Sequence, residues 1–168
     1  KATLSIPFVV KPTPRINTTG TELVCSNNPN FIKTIDAGLE DSSIINNFSY
    51  QWFLDGTILS GETNYSLVVN TEGSYTVVVT NTQNCSKIRT ITVTASNIAT
   101  IENIVINDLS DNNSILVNVS GSGDYEYSLD GENYQISNIF YNVSPGLYTV
   151  YVKDTNDCGI AEKDISLL

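Results

Sequence analysis

Acidic side chains in the last third of the chain are the residues whose type and spacing could bind an ion. Asp124, Asp130, Glu132, Asp154 and Asp157 fall at the ends of predicted neighbouring β-strands, and carboxylate oxygens are the ligands that calcium prefers. The spacing of these acids is not that of an EF-hand loop. Two interpretations stay open: a calcium site, with calcium as the one candidate cofactor, or acidic strand ends that only contact solvent.

An outward-facing tyrosine and a glutamate are the candidates for contact with an organic ligand. Side chains alternate along a β-strand, so Tyr151 points outward beside Glu126 if Tyr148 points inward. An exposed aromatic ring offers a flat platform on which a sugar ring stacks. The alternative is that these side chains cover a domain interface or simply lie on the sheet surface.

Catalysis is not expected from this composition. The chain has no histidine, which excludes Ser-His-Asp and Cys-His nucleophilic arrangements and zinc sites of the usual kinds. A pair of carboxylates of the glycosidase type needs no histidine, but two small domains use up the chain and leave no long loops for a substrate cleft. We predict a protein that is not an enzyme.

The charge distribution excludes several partners. The net charge of the 168-residue chain is −10, and residues 98–168 hold 11 acidic and 2 basic groups whereas residues 1–97 hold 7 and 6. A negative surface repels phosphates, so nucleic acid and anionic membranes are not expected partners. No apolar run reaches the ~18 residues that would span a bilayer, so we expect no direct membrane insertion.

The three cysteines predict a disulfide and not a metal site. Cys25, Cys85 and Cys158 show no Cys-x-x-Cys spacing. A bond between Cys25 and Cys85 would stabilise the fold by roughly 4 kcal/mol in the chain-entropy model and implies an oxidising compartment. Cys158 is then either a free thiol or paired outside this chain.

An internal repeat predicts the elements that position these residues. Residues 50–56 and 73–85 recur as residues 125–131 and 146–158, which indicates two domains of similar fold. We predict an all-β protein with two tandem immunoglobulin-like β-sandwich domains at residues 16–97 and 98–168. Residues 1–15 form a strand and a proline-containing linker, which are either the end of a preceding domain or the first strand of the first domain.

Alternating apolar residues predict the strands and the core, and no helix is expected. Asp55-Gly56 and Asp130-Gly131 are typical of tight hairpin turns. The predicted inward residues are Tyr50, Trp52, Leu54, Tyr75, Val77 and Val79 in the first domain, and Ile115, Val117, Val119, Tyr125, Tyr127, Leu129, Tyr148, Val150 and Val152 in the second. The predicted strands are Glu22 to Cys25, Ile32 to Ala37, Ser49 to Asp55, Tyr65 to Asn70, Gly73 to Asn81, Lys87 to Ala95, Ile104 to Leu109, Ile115 to Ser120, Asp124 to Leu129, Tyr134 to Ile136, Ile139 to Val143, Leu147 to Lys153 and Glu162 to Leu167.

The second half of the chain resembles a known repeat family. Residues 123–131, 138–154 and 156–159 are similar to the SprB-type repeat of Bacteroidetes gliding-motility adhesins. Residues 16–95 resemble the Ig-like or PKD-like repeats that precede it in such proteins, and the order Cys25, Trp52, Cys85 is similar to that of immunoglobulin-like domains.

The resemblance implies a non-catalytic structural or adhesive stalk module of a large secreted bacterial surface protein. In that family such modules precede a C-terminal sorting domain that directs type IX secretion, which implies a cell-surface location. The implied partners are neighbouring domains of the same chain, surface glycans or other cell-surface proteins. The alternative is a carbohydrate-binding accessory module of a secreted polysaccharide-degrading enzyme.

Overall fold

The chain folds as two tandem immunoglobulin-like β-sandwiches, as the sequence predicts. The structure is a computed structural model that describes residues 11–28, 30–107 and 113–168. The chain divides into two compact units: unit 1 contains the described residues up to Glu22 together with Lys33–Val69 and Gly73–Val93, and unit 2 contains Leu23–Ile32, Asn70–Glu72 and Thr94–Leu168. The boundaries at 16–97 and 98–168 stay a prediction.

The strands of the first sandwich form a five-stranded sheet and a two-stranded sheet. The larger sheet has the order β1-β7-β6-β3-β4, and β2 pairs with β5. The last residues of β1 and β7 belong to unit 2. The elements are β1 (Thr19–Cys25), β2 (Lys33–Asp36), a 3₁₀ helix (Ser42–Asn47), β3 (Phe48–Leu54), β4 (Thr57–Ile58), β5 (Ser66–Val69), β6 (Gly73–Asn81) and β7 (Ser86–Ser96).

The core of unit 1 forms around its tryptophan. Trp52 on β3 lies opposite Val77 on β6, and both side chains are completely buried. The indole Nε1 donates to the carbonyl oxygen of Asn64 at 2.9 Å, so the buried ring leaves no polar atom without a partner. The predicted inward positions are confirmed except Leu54, which is only half-buried. Burial also raises the pKa of Tyr50 and of Tyr75.

The strands of the second sandwich form two three-stranded sheets with the orders β11-β9-β8 and β10-β12-β13. Pairing is antiparallel throughout, with β12 and β13 in register from Gly146 opposite Leu167 to Lys153 opposite Ile160. The strands are β8 (Thr100–Asn107), β9 (Ser114–Ser120), β10 (Tyr125–Ser128), β11 (Ile139–Tyr141), β12 (Gly146–Asp154) and β13 (Ile160–Leu167).

The core of unit 2 combines alternate residues of both sheets. Its buried members are Ala99, Ile115, Val117, Tyr127, Val150 and Val152. The prediction that Tyr148 belongs to this core is wrong. Tyr148 lies near the start of β12, is half-buried and does not pack against the core cluster, and its hydroxyl donates to the carbonyl oxygen of Ser144 at 2.8 Å. The alternation places its side chain on the correct face, but beyond the edge of the packed region.

The two Asp-Gly pairs form different turns. Asp55 and Gly56 have φ values of 48° and 79° and connect β3 to β4 as a two-residue hairpin, which confirms the prediction. Asp130 and Gly131 lie in a longer loop instead. Tyr127 and Gln135 close that loop through a single antiparallel bridge, so the predicted strand Tyr134 to Ile136 is reduced to this bridge.

One short helix contradicts the expectation of none. The 3₁₀ helix Ser42–Asn47 begins after Asp41, whose carboxylate accepts from the backbone N–H of Ser43 at 2.9 Å. The hydrogen bonds from the hydroxyl and the N–H of Ser43 lower the pKa of Asp41. A six-residue 3₁₀ helix carries too weak a periodicity to be recognised from the sequence.

The predicted strand in residues 2–10 and the end of the predicted strand at Leu109 lie outside the described residues. Within the described part of the chain, no helix has the length and apolar character needed to cross a lipid bilayer.

Candidate functional site: the disulfide and the buried carboxylate of unit 2

The disulfide of the chain joins Cys25 to Cys158, with the two Cα atoms 5.4 Å apart. Cys85 is a free thiol. The predicted bond between Cys25 and Cys85 is therefore wrong, and so is the expectation that Cys158 stays unpaired within the chain. A disulfide needs Cα atoms within about 7 Å, and segment Leu23–Ile32 belongs with Cys158 in unit 2 whereas Cys85 belongs to unit 1.

The turn between β12 and β13 holds Cys158 in place. The backbone N–H of Asp157 donates to the carbonyl oxygen of Asp154 at 3.2 Å, and the N–H of Asp154 donates to the carbonyl oxygen of Gly159 at 3.0 Å. Asp157 has a φ of 63°, a left-handed conformation that Asp tolerates better than most residues. The turn is also tied to the start of β10, because Thr155 N–H donates to the Asp124 carbonyl oxygen.

Asp154 is a completely buried carboxylate at the end of β12. Its Oδ1 accepts from the Ser96 hydroxyl at 2.7 Å, and its Oδ2 accepts from the backbone N–H of Cys158 at 3.2 Å. Gly123 packs so closely that a Cβ at that position would collide with Asp154 Oδ1. A buried carboxylate is destabilising unless it is hydrogen-bonded. The fold is therefore most stable when the Ser96 hydroxyl and the Cys158 N–H both lie within hydrogen-bond distance of Asp154.

Segment Leu23–Ile32 is joined to the rest of unit 2 by hydrogen bonds beside the disulfide. The backbone N–H of Ser26 donates to the carbonyl oxygen of Ser96 at 2.9 Å. The side-chain amide of Asn27 donates to the carbonyl oxygen of Ile98 and accepts from its N–H, both at 3.1 Å. Cys25 thus reaches Cys158 because the residues that follow it run beside residues 96–98.

The structure does not bring the five predicted calcium ligands together. Asp154 is buried and faces Ser96 and Cys158, whereas Asp124, Asp130, Glu132 and Asp157 are not buried with it. The described residues contain no group of three or more His, Cys, Asp or Glu side chains placed to hold a metal ion. Their predicted place at the ends of neighbouring strands therefore does not bring these acids into one coordination sphere.

Asp130 organises its own loop. Its Oδ1 accepts from the hydroxyl of Ser128 and from the backbone N–H groups of Glu132 and Asn133, at 2.8 to 2.9 Å, and its Oδ2 accepts from the side-chain amide of Asn133 at 2.7 Å. The hydrogen bonds from Asn133, above all the one from its side chain, hold the pKa of Asp130 well below its usual value. The hydrogen bonds to Asp130 therefore fix the conformation of this loop.

Tyr151 and Glu126 lie on one sheet, at positions that the sequence reasoning placed together. Glu126 pairs with Lys153, and Tyr151 pairs with Ser128 and Glu162 on the flanking strands. Both side chains are half-buried. The Tyr151 ring packs beside Gly131, where a Cβ would lie 3.3 Å from its Cζ atom.

Sequence reasoning missed two residues of this surface. The Lys153 ammonium lies over the ring of Tyr134, 5.6 Å from the ring centroid. The pKa of Tyr134 is raised, first by its burial and then by Tyr151 and two acidic neighbours. We call Glu126, Tyr134, Tyr151 and Lys153 the aromatic surface of unit 2. The sequence predicts that Tyr134 lies in a strand, whereas in the structure the loop that contains Asp130 brings its ring beside Lys153.

Ser96, Asn97 and Gly123 are further residues that sequence reasoning did not single out. Asn97 Oδ1 accepts from the hydroxyl of Tyr125 at 2.6 Å and from the N–H of Ser122 at 2.9 Å. The signal that could have indicated the site is the repeated turn, in which residues 81–85 and 154–158 share the pattern Asn/Asp, Thr, any residue, Asn/Asp, Cys.

Comparison with known proteins places the fold but not a family. No family model matches the sequence, and no curated protein matches it. Solved structures of tandem immunoglobulin domains do match. The N-terminal eight Ig domains of Down Syndrome Cell Adhesion Molecule align over 92% of this chain and 27% of theirs, with a TM-score of 0.60 and 13% identity.

Two further structures give similar alignments. Sidekick-1 immunoglobulin domains 1–4 align over 91% of this chain and 48% of theirs, with a TM-score of 0.58 and 12% identity. A fragment of titin, domains I67–I69, aligns over 90% of this chain and 62% of its own, with a TM-score of 0.55 and 12% identity. The chain thus spans less than two thirds of each of these structures. At such identities the likeness shows the fold alone.

Proposed function

We propose that the chain is a non-catalytic stalk module of a large secreted bacterial cell-surface protein of the SprB-repeat type, which holds a distal domain away from the cell and contributes to attachment. The observation that carries the proposal is the disulfide between Cys25 and Cys158, which closes a span of 133 residues. A disulfide of this kind forms in an oxidising, extracellular environment.

The disulfide provides a covalent path for tension along the chain. A force that enters before Cys25 and leaves after Cys158 passes through the two sulfur atoms, and the residues between them carry none of it. Most of both sandwiches lies in this protected loop. A spacer that must keep its domains folded under load gains from this arrangement, and tandem immunoglobulin domains also build the cell-adhesion molecule and the titin fragment that the chain matches in fold.

Single-molecule pulling between handles at both ends tests the proposal. With the disulfide intact, the 133-residue span should not extend. Reduction should release about 440–480 Å of additional contour length, since an extended chain spans about 3.3–3.6 Å per residue. Full extension without reductant would contradict the proposal. The Cys85→Ser variant is the matched control, because it removes a thiol without opening the loop.

A carbohydrate-binding accessory role is the second candidate, and the aromatic surface of unit 2 favours it. Tyr151 and Tyr134 offer rings, and Glu126 and Lys153 offer groups that hydrogen-bond sugar hydroxyls. A glycan array with the wild-type chain tests this role. Saturable binding that is lost in Tyr151→Ala and retained in Tyr141→Ala would support it. Tyr141 is a matched control because it is 70% exposed on the other sheet of unit 2. Absence of binding across the array would count against it.

A further inference from the structure

The outer face of the sheet β10-β12-β13 combines aromatic rings with carboxylates. Glu162, which is exposed, lies directly opposite Tyr151 in the register of β12 and β13. Glu126 on β10 lies directly opposite Lys153. Residues that are directly opposite in an antiparallel pair have their side chains on the same face of the sheet. Glu162 therefore extends the aromatic surface of unit 2, where two tyrosine rings and two carboxylates lie together.

Four polar groups of this face have no partner in the protein. The carboxylates of Glu126 and Glu162 and the hydroxyls of Tyr134 and Tyr151 form no hydrogen bond or ion pair with the part of the chain that the structure describes. By contrast, the hydroxyl of Tyr125 in the same unit donates to a side-chain oxygen of the protein at 2.6 Å. The four groups are thus available to hydrogen-bond a ligand.

One ammonium group already lies on this surface. The Nζ atom of Lys153 is 5.6 Å from the centroid of the Tyr134 ring, which is the distance of a cation–π contact. The pKa of Tyr134 is raised, first by burial and then by Tyr151, Glu162 and Asp130. The rings and the carboxylates together therefore favour positive charge at this place.

The charge of the surrounding unit selects the sign of a ligand. Residues 98–168 hold 11 acidic and 2 basic groups, and one of the two basic groups is the ammonium of Lys153. Glycans that carry carboxylates or sulfates would be repelled by this unit. A neutral glycan stacks on the rings but gains nothing from the negative potential. A glycan that carries ammonium groups gains from both.

From the rings, the unpartnered carboxylates and the charge of unit 2, we infer that this face binds a glycan with free amino groups, a polymer of unacetylated hexosamine such as glucosamine. A sugar ring stacks on Tyr151, its ammonium group pairs with Glu162, and Glu126 accepts from a sugar hydroxyl. This inference rests on the carbohydrate-binding role proposed above, for which it names the class of glycan.

A lysine-rich peptide carries the same ammonium groups, but the Tyr151 ring favours a sugar. Gly131 packs against this ring, where a Cβ would lie 3.3 to 3.6 Å from three of its atoms. The ring is thus held in place and presents its remaining surface to a ligand. A flat sugar ring covers more of that surface than the narrow stem of a lysine does.

Isothermal titration of the 168-residue chain with a glucosamine hexamer tests the inference. The buffer is mildly acidic, so that the sugar amines are protonated, and has low ionic strength. The N-acetylglucosamine hexamer is the matched ligand, because acetylation removes the positive charges from the same sugar backbone. We expect saturable binding of the glucosamine hexamer, at least about tenfold tighter than that of the acetylated one.

Four variants locate the binding site. Tyr151→Ala should weaken binding of the glucosamine hexamer about fivefold or more, and Glu162→Gln about twofold to fivefold. Because Glu162 is exposed, its variant keeps the test decisive if Tyr151→Ala fails to fold. Tyr141→Ala and Glu102→Gln are the controls, since they remove a ring and a negative charge from the other sheet of unit 2. Both should leave the affinity within about twofold of wild type.

The outcomes separate failure of this inference from failure of the carbohydrate-binding role. Equal affinity for the two hexamers would overturn the inference and leave that role standing, whereas no binding of any glycan would remove both. Equal weakening by Glu162→Gln and Glu102→Gln would also overturn the inference, because the attraction would then be general to the acidic unit. Tighter binding of pentalysine than of the glucosamine hexamer, lost in Tyr151→Ala, would assign the face to a basic peptide instead.

Discussion

The turns at the ends of β6 and β12 have nearly the same sequence, and each has a left-handed residue directly before its cysteine, Asn84 or Asp157. They close differently, because the N–H of the first turn residue donates to the Cys85 carbonyl oxygen in one and to the Gly159 carbonyl oxygen in the other, and their surroundings differ. Asn81 begins the first turn and is half-buried, whereas Asp154 begins the second and is completely buried. Cys85 is a free thiol and Cys158 is bonded. The comparison teaches that a short motif determines a turn, while the segments that pack on the turn determine whether its polar and sulfur atoms are buried and bonded.

Among variants of the two turns, removal of the disulfide should change the free energy of unfolding most. We expect Cys158→Ser to lower the free energy of unfolding by about 2–5 kcal/mol, because the unfolded chain loses a cross-link over a long loop. Cys85→Ser should change it by less than about 0.5 kcal/mol, as surface substitutions usually do. Urea denaturation of the oxidised proteins measures both. If both variants lowered the free energy of unfolding equally, the assignment of Cys158 as bonded and Cys85 as free would be wrong.

Truncation of the residue that begins each turn should have the next largest effect. Asp154→Ala leaves two buried donors, the Ser96 hydroxyl and the Cys158 N–H, without their acceptor. We expect a loss of about 2–3 kcal/mol in the free energy of unfolding. Asn81→Ala should cost about 1 kcal/mol, because water can replace its hydrogen bonds.

Thermal and urea denaturation measure the stability of Asp154→Ala and Asn81→Ala. Asp154→Asn is a third variant that keeps the shape of the side chain. The amide keeps one acceptor oxygen but presents an N–H₂ group to one of the two partners, so its loss should lie between zero and that of Asp154→Ala. A cost for Asn81→Ala as large as that for Asp154→Ala would show that burial does not distinguish the turns.

The pH dependence of the Asp130 loop should give the smallest effect. The pKa of Asp130 is lower in the folded protein than its ordinary value of 3.8, so its carboxylate contributes stability that is present above about pH 4 and is lost as the pH falls toward the folded-state pKa. The difference in stability between wild type and Asp130→Ala should therefore shrink as the pH falls below 4. Denaturation at pH 7 and pH 3 measures this difference.

Glu132→Ala is the matched control for that titration, since it removes one exposed negative charge from the same loop. Measuring it at the same two pH values shows how much of the Asp130→Ala effect comes from the loss of one negative charge. If the difference between wild type and Asp130→Ala is independent of pH down to 3, the hydrogen bonds to Asp130 do not favour its carboxylate form.

Local patterns predicted the sandwich cores because side-chain direction along a strand follows from the backbone alone. Trp52, Val77, Val117 and Val150 are buried as alternation requires. The prediction failed at Tyr148, where alternation gives the face but not the extent of the packed region. It also failed at the Asp130 loop, where four hydrogen bonds to one carboxylate override the hairpin preference of an Asp-Gly pair.

The candidate site was predictable only in part. Asp154 and Asp157 were singled out for their oxygens, but the role of Asp154 depends on Ser96, which is 58 residues away in the chain. Tyr151 and Glu126 were placed on a common surface, since strand pairing brings them close. Their neighbours Tyr134 and Lys153 meet through the loop conformation, which the sequence pattern does not specify.

The sequence by itself determined the strand faces, the repeated turn and the division of charge, because these depend on residue type and on backbone geometry over a few positions. The tertiary structure decided which cysteines bond. Sequence order favoured Cys25 with Cys85, but a disulfide requires two Cα atoms that lie close together in space. The hydrogen bonds of Ser26 and Asn27 to residues 96–98 bring Cys25 to Cys158, and the turn at β12 therefore holds the bond that its counterpart at β6 lacks.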